Sequence, residues 1–169
     1  MDEIFIQRMF SIPQDKHPER LFVLKEIGEI KNKLILDIGY GRHKTIPEAI
    51  GIDIIDGADI KTSGDDLNRI GNEWVDIIIS RHSFEHILNS VKAIKEWLRV
   101  LKKGGKAIII LPDHEFINTM DYVISQGQHL HAFTKESLKD LLSLFKECDI
   151  IKQGECIKDW SFYTILIKK

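Results

Sequence analysis

Apolar and polar positions along this chain keep two rhythms. From Glu19 onward, Leu21, Leu24, Ile27 and Ile30 recur at helical spacing and predict a helix that leads into the first strand. The stretch before it, to about residue 16, follows no period, and Pro13 and Pro18 break it. Short apolar runs then predict strands at 34–38 and 50–55, with a shorter one at 59–62 between Gly57 and Gly64. WVDIIIS (74–80) is apolar without alternation, as expected of a strand covered on both faces.

Residues 84–102 predict a long helix with the stripe Ile87, Val91, Ile94, Leu98 and Leu101, stopped by Gly104-Gly105. A buried strand at 106–111 ends at Pro112, and 115–126 reads as helical. Over 134–146 a helix is expected with Thr134 as N-cap and Leu138, Leu141, Leu142 and Phe145 inward. Strands at 148–153 and 161–167 close the pattern.

Strands alternating with helices predict an α/β fold: a doubly wound, mostly parallel sheet in an α-β-α sandwich. The last two strands are joined by a short connection, so one of them is expected to run antiparallel near the end of the sheet. No repeat or linker divides the chain. Residues 1–169 read as one domain, with 1–30 as an N-terminal cap segment and helix and 31–169 as the core. Ligands in such sheets bind beyond the carboxyl ends of the strands, where strand order reverses.

Composition narrows the function classes. Hydrophobic residues make up 43% and charged residues 30%, which fits a globular protein and excludes a disordered one. A net charge of −2, with lysines scattered at strand ends, disfavours a nucleic-acid partner. No apolar run reaches the ~20 residues of a bilayer span, and MDEIFIQRMF does not read as a signal peptide. Cys148 and Cys156 match neither a disulfide framework nor a zinc pattern. A cytoplasmic protein is the expectation.

The chemistry gathers where strands end. LILDIGYG (34–41) stops at a turn in which Gly39 and Gly41 permit positive φ and let backbone approach a ligand. Asp53 closes the second strand, where a carboxylate can accept both hydroxyls of a ribose. Asp66 could accept from an adenine amino group while Leu67 covers the ring, and Ser80-Arg81-His82 leave the fourth strand toward the same crevice. A dinucleotide fingerprint needs a third glycine three residues after the second, and Lys44 stands there.

Five segments in order resemble the class I S-adenosylmethionine-dependent methyltransferases, in particular their small-molecule, type 11-like branch. They are LILDIGYG, IGIDI (50–54), Asp66-Leu67, VDIIISRHSFEHI (75–87) and LRVLKKGGKAIIILP (98–112), followed by HAFTKESLKDLL (131–142). The resemblance covers roughly residue 30 onward. It implies a Rossmann-like fold, S-adenosyl-L-methionine as cofactor and methyl transfer as activity. By the same resemblance Asp37 would face the methionine amino group, and Gly39, Tyr40 and Gly41 would pass along the methionine part. Asp53 would hold the ribose, Ile54 stack on adenine, Asp66 and Leu67 flank it, and Ser80, Arg81 and His82 close the methionine side.

The first loop departs from that family. Only Arg42 to Ala49 lies between Gly41 and the second strand, interrupted by Pro47. A crossover between parallel strands normally takes about ten to twelve residues or more, so at most one helical turn fits. Arg42, His43 or Lys44 would then be the groups to meet the methionine carboxylate.

A general base is needed only if the acceptor is a hydroxyl or a protonated amine. His82, His86 and His131 are the catalytic candidates, within a wider set on the ligand side that adds His114 and His129. Phe10, Phe116, Tyr122 and His129 are candidate walls of an acceptor pocket drawn from residues 1–20, from 113–133, or from a homodimer mate or partner subunit. A small metabolite, sugar or lipid-linked precursor is the expected acceptor. A non-catalytic binding or regulatory subunit is the alternative. His82, Glu85 and His86 at i, i+3, i+4, joined by His131, also loosely resemble the metal site of small-RNA 2′-O-methyltransferases, a lesser alternative; no metal is expected.

Overall fold

The computed structural model describes residues 11–169. Its seven strands are β1 (Ile35–Ile38), β2 (Ile50–Asp53), β3 (Ile60–Lys61), β4 (Val75–Arg81), β5 (Leu101–Pro112), β6 (Cys148–Ile157) and β7 (Ser161–Lys168). The helices are α1 (Pro18–Ile27), α2 (Ser90–Val100), α3 (Tyr122–Ser125) and α4 (Lys135–Ser143). The strands form one sheet in the order β3-β2-β1-β4-β5-β7-β6. β1 to β5 pair in parallel, and β7 runs antiparallel to both β5 and β6. Strand order reverses between β1 and β4, so the crevice expected from the alternating pattern opens there.

Period-two alternation explains the unbroken apolar runs. In β4, Ile78 faces one layer while Ile77 and Ile79 face the other. The first layer packs α2 (Ile94, Trp97) and α4 (Leu138, Leu142) on Leu36, Ile38, Ile52, Ile109 and Phe162. The second packs Val23 and Ile27 of α1 on Ile35, Ile108, Ile110 and Ile165.

Between β1 and β2 the chain makes turns and no helix. Ile46 and Ala49 from this loop are buried in the second layer, so apolar loop residues cover sheet that a crossover helix would otherwise cover. Tyr40 and Lys44 complete the cover. A Cβ added at Gly51 would lie 2.4 Å from the Tyr40 ring and 3.0 Å from Lys44 Cε.

Several elements differ from the sequence expectation. The helix expected over 84–102 is split: Phe84–His86 form a single 3-10 turn, Ile87 is extended, and α2 begins only after Asn89, whose side chain accepts from Lys92 N at 2.9 Å. Gly104-Gly105 do not stop a helix. They shape an irregular stretch inside β5, where Gly104 has φ of 76° and a Cβ on Gly105 would meet the Lys102 carbonyl at 2.8 Å. The segment 115–126 keeps only the one turn of α3. In α1 the inward face is Glu19, Val23 and Ile27, whereas Leu21 is exposed. Thr134 caps α4 as its sequence predicts, in a reciprocal box with Ser137.

Candidate functional site

Two regions meet at the carboxyl edge of the sheet. The first lies over β1, β2 and β3. Asp53, almost buried, accepts Gly41 N–H on Oδ2 at 2.8 Å, and Ile54 and Ile55 N–H on Oδ1 at 2.7 and 3.3 Å. These bonds hold the glycine turn against the end of β2. Beside them Ile54 is 69% exposed, an apolar side chain in water next to a carboxylate. Gly41 has φ of 61° and open space where a Cβ would project, and Asp66 is half-buried after β3.

This donor and acceptor set fits a nucleoside-bearing cofactor. Ile54 offers an apolar face for a base, Gly41 a close backbone approach, and Asp53 an anionic acceptor for ribose. Three of the roughly four lone-pair positions of Asp53 are already engaged, so a bidentate ribose contact requires the Gly41 bond to open.

Other residues expected at the cofactor make contacts within the protein. Asp37 is buried and accepts the Thr45 N–H, clasping the loop. Burial pushes its carboxyl up to about 6, against the lowering effect of the Thr45 bond. Gly39, at φ of 65°, abuts Ser83, where a Cβ would approach Ser83 Cβ to 2.2 Å. Ser80 is buried with its hydroxyl 2.7 Å from Ser83 Oγ, and Ser83 Oγ donates to the Ile38 carbonyl. Leu67 sits in the core, its backbone held by Glu96 and Arg99 of α2. Lys44 bonds the Ala49 carbonyl and Asp59, which leaves Arg42 and His43 as the exposed members of that trio.

The second region is a cleft of about 320 Å³ over the ends of β4, β5 and β7. Its walls come from five separate stretches: Gln14 to Glu19, Arg81 to His86, Pro112, Ile124 to His129, and Trp160. Arg81 is fixed by donating to Gln14 Oε1 at 2.7 Å. His82, in a left-handed backbone conformation at φ of 50°, places Nε2 at 2.8 and 3.0 Å from the two oxygens of Glu19. Ser161 Oγ donates to the same carboxylate at 2.6 Å. Burial opposes both charges, but each stabilises the other: Glu19 is lowered to about 2, and His82 is raised far enough to stay protonated at neutral pH.

Glu85 is the second buried acid here. Its Oε1 lies 3.8 Å from His82 Nδ1, 3.9 Å from His86 Nε2 and 3.9 Å from His129 Nε2, and neither of its oxygens makes a hydrogen bond. Backbone fixes the arrangement, because the Glu85 carbonyl accepts from Leu130 N at 2.9 Å and His131 N at 3.1 Å. His86 Nδ1 lies 3.0 Å from the Gln128 carbonyl, which can only accept, so the neutral ring carries its proton there and its Nε2 lone pair is free. Burial lowers the His129 pKa, against the pull of Glu85.

The histidines thus divide. His17, His82, His86 and His129 line the cleft, whereas His131 Nε2 donates to the Ile87 carbonyl at 2.9 Å and stands outside the lining. His114 Nδ1 bonds Thr119. Phe116 and Tyr122 are exposed and do not line the cleft, and Phe10 lies outside the described residues. Sequence reasoning missed Glu19. Its signal was available: Glu19, Val23 and Ile27 fall at i, i+4, i+8, so the carboxylate shares the helix face that enters the core. Trp160 and Gln14 carried no comparable signal.

The fold has counterparts among known proteins. Residues 8–145 match the family described as Methyltransferase domain. No curated protein sequence matches the chain. Among solved structures, a SAM-dependent methyltransferase from Aquifex aeolicus is similar over 100% of both chains, with a TM-score of 0.73 and 16% identity. The 1,6-didemethyltoxoflavin-N1-methyltransferase of Burkholderia thailandensis, solved with 1,6-didemethyltoxoflavin and S-adenosylhomocysteine, has a TM-score of 0.70 and 13% identity, covering 95% of this chain and 80% of its own. A Haloferax volcanii methyltransferase solved with the Trm112 activator has a TM-score of 0.69 and 14% identity, over 92% of this chain and 91% of that one. No helix among the described residues is long and apolar enough to cross a membrane. The chain belongs to the family described as Methyltransferase domain and shares the fold of S-adenosylmethionine-dependent methyltransferases.

Proposed function

We propose that this enzyme methylates a small polar molecule, a sugar or a lipid-linked precursor among the candidates, seated in the cleft over β4, β5 and β7. The observation that carries the reading is adjacency. The Gly39–Ser83 contact joins the turn after β1 to the turn after β4, so the cofactor region and the polar cleft share a border. Asp53, Ile54, Gly41 and Asp66 hold the nucleoside portion, and Asp37 acts by clasping the loop that carries Gly41. When bound, S-adenosylmethionine supplies an activated methyl group, so the protein's work is mainly positioning and exclusion of water.

In this reading His82 enters the reaction charged, held by Glu19, and orients the acceptor as a hydrogen-bond donor. His86 stands on the same wall of the cleft beside the acceptor, and His131 keeps the Ile87 turn in place. The acceptor walls come from this chain, with a mate or activator subunit as a further source.

Titration of S-adenosylmethionine and S-adenosylhomocysteine into wild type and Asp53→Ala tests the cofactor half. Binding by wild type that the substitution abolishes is the expected result, followed by a mass-spectrometric screen for methylated acceptors. Absence of binding by wild type would overturn the reading and favour a non-catalytic subunit.

A further inference from the structure

Glu85 presents an energetic problem. Its side chain is 2% exposed and neither oxygen is hydrogen-bonded, yet an ionised carboxylate taken from water without partners is among the costliest groups to bury. The nearest cation, His82, directs Nε2 to Glu19, and its Nδ1 stays 3.8 Å from Glu85, beyond hydrogen-bond reach. Around Glu85 stand two nitrogens that can offer lone pairs, His86 Nε2 and His129 Nε2. One donor atom from each of Glu85, His86 and His129 lies within 4.8 Å of the others.

We infer that Glu85, His86 and His129 form a binding site for a first-row divalent metal ion of the zinc and cobalt class, at the wall of the cleft. Two imidazoles and a carboxylate suit such ions, and three protein ligands leave a coordination position open toward the cleft. With bonds of about 2.0–2.2 Å, donors on a tetrahedral ion sit roughly 3.3–3.5 Å apart. The gaps of 3.9 Å from Glu85 to each histidine therefore close by about half an ångström, and the two histidines, whose donor atoms lie within 4.8 Å, draw together further. For His86 the outer group is in place as well, whereas the buried Nδ1 of His129 has no hydrogen-bond partner. Gln128 O takes the far proton of His86, the orientation that metal-binding histidines ordinarily need. Two backbone bonds from Leu130 and His131 to the Glu85 carbonyl lock the loop bearing His129 to the turn bearing the other two ligands.

The ligand set differs from the one the sequence spacing points to. His131 is spent on the Ile87 carbonyl, and His82 is spent on Glu19. His129 takes the third position.

The test uses the full chain stripped of metal and titrated with Zn²⁺ by calorimetry and with Co²⁺ by visible absorption. One ion per chain is expected, with Co²⁺ bands more intense than those of the hydrated ion. Glu85→Gln and His129→Ala should each weaken binding by more than the ~10–100-fold typical of outer-shell changes, and His131→Gln should leave it within about threefold. The Co²⁺ spectrum of wild type stands even if a variant fails to fold. No stoichiometric binding by wild type, a hydrated-ion spectrum, or Zn²⁺ affinity indifferent to folded Glu85→Gln and His129→Ala would each overturn the site. Metal binding is read without S-adenosylmethionine or acceptor, so its failure and that of the proposed methyl transfer are separable.

Discussion

Asp37 and Glu19 are both buried, and protonation acts on them in opposite senses. The Asp37 carboxyl is raised from 3.8 to about 6, chiefly by burial. Its contribution to stability is therefore complete below about 3.8 and is lost as pH rises through about 6. Over that interval the loss is on the order of 2–3 kcal/mol, and urea unfolding from about pH 4 to 7 should show a falling limb that Asp37→Asn removes. Glu19 is lowered from 4.5 to about 2: burial pushes it up, and the charge and hydrogen bond of His82 outweigh that. Its contribution is present above about 4.5 and lost as pH falls toward 2. Glu19→Gln should flatten that acid limb and, at neutral pH, cost about 3 kcal/mol, the low end for a broken buried pair because His82 is 31% exposed on its side chain. Of the two, only Asp37 was legible as a site residue. A strand-end Asp announces itself, whereas a lone Glu in a helix gains meaning only once the inward face is known.

The loop from Gly39 to Ala49 does the packing of a helix without being one. Ile46 is 1% exposed, as deeply buried as the strand residues beneath it. Ile46→Ala should destabilise the protein by roughly 2–5 kcal/mol in chemical denaturation, a core value from a loop position. Gly51→Ala should displace the Tyr40 ring and Lys44 and so loosen the turn carrying Gly41, reducing cofactor affinity more than stability. The brevity of this connection was plain in the sequence, because the eight residues Arg42 to Ala49, interrupted by Pro47, leave room for at most one helical turn. What the loop does instead was not, since burial of Ile46 depends on the neighbouring α1. The divided helix at 84–100 was missed for a related reason. Apolar spacing runs through Ile87 to Leu101, and nothing in that period reveals that Glu85 and His86 turn away toward residues some forty positions later.

At the scale of the molecule, strand order was readable as a class and its consequence for the cleft was not. Alternating elements implied a doubly wound sheet with a crevice. The cleft itself needs Gln14, Glu19, His82, His129 and Trp160 side by side, residues that no local pattern connects. The sheet also predicts a gradient of local stability. Backbone amides of β1, β4 and β5 should exchange with deuterium slowest, and those of β3, two residues long at the edge, fastest. Equal protection at β3 and β4 would contradict this sheet.

The position of β7 has a consequence for how the protein is made. β7 lies between β5 and β6, although β6 is synthesised first. Until Ser161–Lys168 has been translated, β5 keeps one hydrogen-bonding edge open along Ala107 to Leu111, an apolar run that readily pairs with another chain. A chain that ends after β6 therefore leaves this edge bare, and truncation before Ser161 should make the protein prone to aggregate.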